Sequence, residues 1–431
     1  CGMEIRRDRY LNSLIRKKNN GMIKVITGIR RSGKSYLLFH LYYEYLIAGG
    51  VPEDNLITVP LDDVEYEEYC DPRALYEYIK NKMVDKTQQY YVFIDEAQYA
   101  ITKEEMKNQD KPIRLYGVLN ALLRRENVDV YVTGSNSKFL SSDIMTEFRG
   151  RGDEIHILPL SFSEFFPVCK KEKFEAWNEY LYYGGLPHIL SEPDNASKSK
   201  YLERLNKEIY LRDLYERYDI RDQNGMETLM RVIASSVGSL SNAQKISDTF
   251  KSNGSVSLSM PTISNYLKYL QESFLVEKVE RYDIKGRKYI STPSKYYYTD
   301  LGLRNALLNF RQFEMTHLME NAIYNELIYR GYSVDVGVVE IRTVENEKLL
   351  KKQLEVDFVV NDASKRYYIQ SAFALPDREK MEQEQASLVK IPDYFKKIII
   401  VGDNTPVSRN EEGITIMGIF DFLLNENSLD M

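Results

Sequence analysis

One octet constrains this chain more than any other stretch: Gly28-Ile29-Arg30-Arg31-Ser32-Gly33-Lys34-Ser35, which has the spacing G-x-x-x-x-G-K-[ST]. An apolar run at residues 22–26 precedes it. Apolar positions Leu37, Leu38, Leu41, Tyr45 and Leu46 follow at helical spacing, up to a Gly49-Gly50 stop. A strand that feeds a glycine turn opening a helix is half of a parallel α/β unit, so the fold class expected is α/β with a P-loop-type parallel sheet. Gly28 and Gly33 allow backbone angles and close approach that a side chain blocks. The N–H groups of Gly28, Arg30, Arg31, Ser32, Gly33, Lys34 and Ser35 can then converge on phosphate oxygens at the positive end of a helix. In such a loop Lys34 reaches the β- and γ-phosphates and the Ser35 hydroxyl ligates Mg2+. The expected ligands are a nucleoside triphosphate and Mg2+.

A second signal lies downstream. Tyr90-Tyr91-Val92-Phe93-Ile94-Asp95-Glu96 is an apolar strand ending in two acids, with another strand candidate at 56–59 between it and the glycine loop. That order puts Asp95 beside the metal and Glu96 near an attacking water. A strand at 128–133 ends in Gly134-Ser135-Asn136, and Asn136 is the better candidate for a polar tip that orients water, with Ser135 behind it. Arg149 and Arg151 flank Gly150 on a turn after these strands, where an arginine can act as a finger on the γ-phosphate, in cis or from a neighbouring subunit. The plain alternative is a solvated basic turn.

At 431 residues the chain exceeds one ordinary core and implies two to four domains. No run of about 18 apolar residues occurs, so no membrane-spanning helix is expected. Three cysteines and four histidines are too few and too scattered for a disulfide framework or a zinc site, which points to the reducing cytoplasm. The net charge of −6 requires any nucleic-acid contact to be local.

Four segments are expected: a P-loop core at 3–160, a helical lid at 161–225, a winged helix-turn-helix at 226–302, and an α/β tail at 303–431. Within the lid, 201–218 reads as one amphipathic helix. Helix candidates at 229–237, 243–250 and 261–273 are followed by strands at 275–282 and 289–291 around the basic tip Lys285-Gly286-Arg287-Lys288. The stretch 226–300 holds ten Lys or Arg against seven Asp or Glu, a local +3. Lys268, Lys285, Arg287 and Lys288 are the candidates for phosphate contact with duplex DNA, and Ser264 and Asn265 those for base edges. In the tail a helix carries Glu320, a strand carries Glu355 and Asp357, and the next strand reads Gln370-Ser371-Ala372. This is the layout of a PD-(D/E)XK nuclease core in which Ala372 stands where a lysine positions water. Gln370 retains a carbonyl oxygen for a metal, so Glu320, Asp357 and Gln370 are expected to form a degenerate nuclease site.

Taken in order, the glycine loop, Asp95-Glu96-Ala97-Gln98, Thr133-Gly134-Ser135, Gly150-Arg151, Pro159-Leu160-Ser161-Phe162-Ser163-Glu164-Phe165, Gly184-Gly185-Leu186-Pro187 and Glu355-Val356-Asp357-Phe358 resemble a widespread bacterial and archaeal group. Its members are ATPases of the AAA superfamily that carry a C-terminal nuclease-like domain of unknown function. The resemblance implies ATP as the nucleotide, hydrolysis, a winged-helix segment and a nuclease-like tail. The function expected is a Mg2+-dependent ATPase whose cycle controls a DNA-binding winged helix, with a homo-oligomer as a possible assembly. The alternative is a slow nucleotide-gated switch that binds a protein partner and not DNA.

Overall fold

The computed structural model describes residues 4–108, 110–136, 143–147, 150–254 and 258–431. It divides into two compact units, one running to Pro159 and including Glu272–Phe274, the other made of Leu160–Gln271 and Leu275–Met431.

The first unit is built on five strands: β1 (Ile23–Thr27), β2 (Leu56–Pro60), β3 (Tyr90–Asp95), β4 (Val128–Gly134) and β5 (Gly152–His156). All pair in parallel in the order β2-β3-β4-β1-β5. Helices cover both faces of such a sheet, so β1 and β3 are buried at every position; β3 reads as an apolar run up to Asp95, whereas β1 is interrupted by Lys24. Val25, Val92, Ile94, Val130 and Val132 pack with Leu75, Ile79, Leu115 and Leu119 from helices Pro72–Lys82 and Arg114–Leu123. Pro72 at the first helical position and the Asp71 carboxylate, which accepts from Ala74 N–H at 3.1 Å, set where the first of these helices begins.

The helix after the glycine loop departs from the uninterrupted α-helix expected. It runs as Lys34–Tyr36, a π turn Leu37–Tyr42, and Tyr43–Ala48. Tyr42, at the end of the π turn, has its hydroxyl 2.6 Å from that of Tyr131, which donates to Asp129 at 2.6 Å. Asp129 in turn pairs with the fully buried Lys24. Burial pulls the Lys24 ammonium below its ordinary pKa, against the opposing pull of Asp129. Removing one member of a buried pair leaves the other charge uncompensated, so Asp129→Ala is expected to cost about 3–5 kcal/mol. The check is urea unfolding, with a lowered midpoint at unchanged slope.

The second unit opens with helices Phe162–Cys169 and Lys173–Tyr183, the first closed by a reciprocal cap between Ser161 and Glu164. Residues 201–218 do not form a separate helix: they continue Asn195–Arg204 through a π turn, Leu205–Leu211, into Arg212–Tyr218. Helices Gln223–Ser235, Ala243–Ser252 and Met260–Glu272 follow. The strands are β6 (Val276–Asp283), β7 (Lys288–Tyr298), β8 (Ser333–Glu345), β9 (Lys348–Asp362), β10 (Lys365–Ala372), β11 (Lys396–Val401), β12 (Ser408–Arg409) and β13 (Thr415–Gly418).

They form one mixed sheet, β12-β13-β11-β10-β9-β8-β6-β7. The sheet corrects the expectation of a break between 302 and 303. Arg281–Asp283 of β6 pairs in parallel with Val336–Val338 of β8, so the basic hairpin extends the sheet of the tail. β7 also runs seven residues beyond the expected 291, through Tyr296, Tyr297 and Tyr298, all buried.

The Gly184-Gly185 break has a tertiary cause. The buried Asp300 carboxylate accepts N–H bonds from Gly185 at 2.9 Å and Leu303 at 3.1 Å. Burial outweighs these bonds and pushes the Asp300 pKa up to about 6. The folded state therefore binds this proton more tightly than the unfolded chain does. Stability from this group is full below about pH 4 and is lost as pH rises through about 6, a change of roughly 3 kcal/mol. Unfolding midpoints from pH 4 to 7 are expected to show this slope in the wild type and to lose it in Asp300→Asn.

Candidate functional site

The strand order decides the chemistry at the first site. β4 lies between β1 and β3, so the strand that launches the glycine loop and the strand that ends in Asp95 both border it. Gly28 sits where a Cβ would lie 2.5 Å from the Ile157 carbonyl oxygen, and Gly33 has φ +103°. Any other residue at either position is crowded or strained. Ser32 closes the loop on itself, its hydroxyl donating to the Ile29 carbonyl at 2.7 Å. Lys34 is buried, and its ammonium donates to the Gly28 and Ile29 carbonyls at 2.9 Å each. Burial lowers its pKa, with Glu96 and Asp95 acting in the opposite direction. Arg30 is half-buried, and Arg31 is exposed at φ +70°.

Asp95 is the hub. The Ser35 hydroxyl donates to one of its oxygens at 2.7 Å and the Thr133 hydroxyl to the other at 2.6 Å. Burial raises the Asp95 pKa against the pull of these two hydrogen bonds. Thr133 also accepts the Glu96 N–H at 2.8 Å, holding Glu96 at φ +51° just past the strand. Gln98 donates to the Glu96 carboxylate and lies 3.4 Å from the Ser135 hydroxyl. Asn136 is fully buried and follows β4 by two residues, at the end of the sheet that carries the glycine loop. The paired Ser35 and Asp95 oxygens are a hard, all-oxygen donor set of the kind Mg2+ takes.

Sequence reasoning missed Arg7. This buried guanidinium donates to the Ser32 carbonyl at 3.0 Å and to the Leu158 carbonyl at 2.6 Å, and it lies 4.8 Å from the Tyr10 ring centre. Tyr10 accepts the Leu158 N–H at 3.0 Å. No local motif announces this clamp, because its partners are 25 and 151 residues away. His156, the last residue of β5, was also passed over. Its Nδ1 is 3.0 Å from the Thr27 hydroxyl, and burial lowers its pKa to about 4, which leaves the ring neutral at pH 7.

Arg151 is not brought to this site. It is exposed, bonds Asn120 at 3.3 Å, and its carbonyl accepts from Ile23 N–H, at the opposite end of β1 from the glycine loop. Arg149 lies outside the described residues.

The second unit places the remaining candidates. Ser264, Asn265 and Lys268 are exposed on helix Met260–Glu272 while Ile263, Leu267 and Leu270 are buried, as the helical spacing requires. Tyr269 on the same helix is half-buried and stacked on Tyr218 with ring centres 3.9 Å apart. Lys285, Arg287 and Lys288 are exposed at the hairpin tip, although the Lys285 ammonium is tied to the Glu340 carbonyl at 3.0 Å. With Arg342, Lys351 and Lys390, Lys285 and Lys288 line a cavity of about 670 Å³.

In the tail, carboxylate oxygens of Glu320, Glu355 and Asp357 lie within 4.8 Å of one another. Gln370 lies against Asp357, next to these acids. Its carbonyl oxygen is taken by the Asp357 N–H at 2.6 Å and its amide donates to Ser387 at 3.1 Å. An ammonium does reach the cluster, from a place the motif does not predict. Lys295 on β7 is buried and donates to Glu355 at 2.8 Å and to Glu320 at 3.4 Å. Burial draws its pKa down, but the three carboxylates prevail and hold it above its ordinary value. Burial, followed by Glu320, pushes Asp357 well up.

The strand order, the glycine loop and the Asp95 pair define an AAA-type P-loop α/β domain, and residues 20–166 match the family described as an AAA domain. Residues 174–314 match a domain of unknown function (DUF8612). An uncharacterized protein of Haemophilus influenzae is 33% identical over 97% of this chain and 98% of its own length, and the chain belongs to the same family. The uncharacterized protein MJ1544 of Methanocaldococcus jannaschii is 29% identical over 86% of this chain and 79% of its own. Among solved structures, the Walker-type ATPase PABY2304 of Pyrococcus abyssi shares the fold, with a TM-score of 0.50 and 16% identity over 71% of this chain and 96% of that one.

Thr133 is the test of the hub. Thr133→Val keeps the shape but leaves Asp95 and the Glu96 N–H without their shared hydroxyl. It is expected to weaken Mg2+-dependent nucleotide binding about 10- to 100-fold, read as a raised Mg2+ requirement in a fluorescent-nucleotide titration.

Proposed function

We propose that this protein is a Mg2+-dependent ATPase whose nucleotide cycle controls a DNA-binding winged-helix segment joined to a nuclease-like tail. The observation that carries the reading is Asp95, held between the Ser35 and Thr133 hydroxyls at 2.7 and 2.6 Å beside the buried Lys34. In this reading the main-chain N–H groups from Gly28 to Ser35 hold the phosphates and Lys34 reaches the β- and γ-oxygens. Ser35 and Asp95 hold Mg2+, which neutralises charge developing on the transferred phosphoryl group. Glu96, fixed by Thr133 and Gln98, orients the attacking water and takes its proton, and Asn136 assists from β4. Adenine as the base rests on the family resemblance. Because Arg151 lies at the far end of β1 from its own glycine loop, we assign the arginine finger to Arg149 or to Arg151 of a second copy in a homo-oligomer.

Turnover is expected to fall about 10²- to 10⁴-fold in Glu96→Gln while ATP is still bound, and Lys34→Ala should lose both binding and turnover. Equal phosphate release by all three proteins would remove the ATPase reading.

DNA binding is supported by three helices followed by a basic hairpin, by the Ser241–Ser294 bridge that ties the helices to β7, and by the exposed Ser264, Asn265 and Lys268. Its affinity is expected to fall with salt, with a slope that lessens by about one for each of Lys285, Arg287 and Lys288 replaced by alanine. A second reading, a switch for a protein partner, is favoured by Val344 and Leu349, 71% and 65% exposed on the β8–β9 ribbon. Fluorescence anisotropy with duplex DNA separates the two, since binding indifferent to ionic strength belongs to the protein reading.

A further inference from the structure

We infer that a cavity shared by the two hairpin ribbons of the second unit binds a small molecule carrying two or more linked phosphates. No part of the nucleotide site takes part, and the site stands whether or not the chain hydrolyses ATP or binds DNA. β6 pairs in parallel with β8, so the β6–β7 tip and the β8–β9 ribbon leave the sheet at the same end. The cavity they share measures about 670 Å³, inside the range of roughly 300–1,000 Å³ typical of small-molecule sites. The tip brings Lys285 and Lys288, the ribbon brings Arg342 and Lys351, and Lys390 arrives from the end of helix Arg378–Val389.

Charge selects the occupant. Five cations against two acids leave +3 on the wall, in a chain whose net charge is −6. Both acids are engaged. Asp283, opposite Lys288 in the ladder, accepts the Gly286 N–H at 2.9 Å, and a Glu340 oxygen lies 3.7 Å from the Lys351 ammonium. Lys285 is held in place by the Glu340 carbonyl at 3.0 Å. The side chains of Lys288, Arg342 and Lys390 make no hydrogen bond or ion pair among the described residues. A cleft lined mainly by one sign of charge draws counter-ions into it.

The strand register supplies a separate observation. Arg342 on β8 stands directly opposite Lys351 on β9. Like charges facing each other across a strand pair destabilise it, and a polyanion seated between them turns that repulsion into attraction. Linked phosphates suit this wall better than a carboxylate does. A terminal phosphate carries up to about two charges and three acceptor oxygens, so one occupant answers cations arriving from three elements. An arginine forks onto two phosphate oxygens, and lysines act as point charges around it. Ile341 is the one apolar side chain on the wall and no aromatic ring lines it among the described residues, so the cavity reads charge and not a base. A duplex presents its phosphates along a line, whereas these cations surround a hollow.

The test is a calorimetric titration of the full chain with inorganic tripolyphosphate, in chelator and at low salt, on a Lys34→Ala background that silences the glycine loop. One tripolyphosphate per chain is expected, with an affinity that falls as salt rises. Arg342→Ala and Lys390→Ala should each weaken binding about tenfold. Lys352→Ala should change it by less than about twofold, because Lys352 is exposed on the opposite face of the same ribbon, outside the cavity. All three side chains are exposed, and circular dichroism checks that each variant is folded. No uptake at millimolar tripolyphosphate overturns the inference, and so does an equal loss in Lys352→Ala, which marks general charge attraction. Uptake by the wild type but not by Lys34→Ala also overturns it, by assigning the anion to the glycine loop. Weaker duplex binding in Arg342→Ala and Lys390→Ala without tripolyphosphate uptake hands the cavity to the nucleic-acid backbone and overturns it as well.

Discussion

The first unit is organised around one carboxylate whose two oxygens are claimed by hydroxyls from different elements. Ser35 comes from the helix that follows the glycine loop and Thr133 from the strand next to β3, so Asp95 locks the loop to the middle of the sheet. Thr133 passes the constraint on to the Glu96 backbone. A shift of β4 along its neighbours would break two contacts together, because Thr133 serves both acids. This coupling lets a site for phosphate chemistry rest on a rigid parallel sheet rather than on mobile loops.

The second unit meets the cost of buried charge with compact clusters. Asp300 is satisfied by the main-chain N–H groups of Gly185, at the break after Tyr183, and of Leu303, and Lys295 by carboxylates from a helix and from β9. Both residues lie in or just after β7, which the sheet extends well past the hairpin. Continuing β7 inward carries a charged residue to a place where apolar burial alone would exclude it. The hairpin that presents cations at its tip therefore delivers, at its other end, the lysine that completes the acidic cluster.

Legibility of the sequence tracked the range of the interaction. The glycine loop, the strand ending in Asp95-Glu96 and the outward face of helix Met260–Glu272 were all readable, because each is set by spacing within a few residues. Arg7 was not, since its partners lie far along the chain and an isolated arginine just before helix Asp8–Lys17 carries no sign of burial. Gln370 was placed at a metal on the strength of its position, and no local pattern showed that its carbonyl oxygen accepts the Asp357 N–H across the strand pair. The π turns at Leu37–Tyr42 and Leu205–Leu211 were unreadable for a related reason: apolar spacing marks the face of a helix and not its winding.

Taken alone, the order of residues determined that a main-chain cradle for phosphate opens a helix at Gly33, because glycine and lysine at those spacings have conformations and reach that few other residues share. It also marked β3 as a wholly buried strand, through an apolar run unbroken up to Asp95. Only the tertiary structure decided which hydroxyl bridges the two acids, which arginine clamps the loop and which lysine meets Glu320 and Glu355. Those choices depend on strand order and on how far each strand runs, and both are settled by packing between segments distant in sequence.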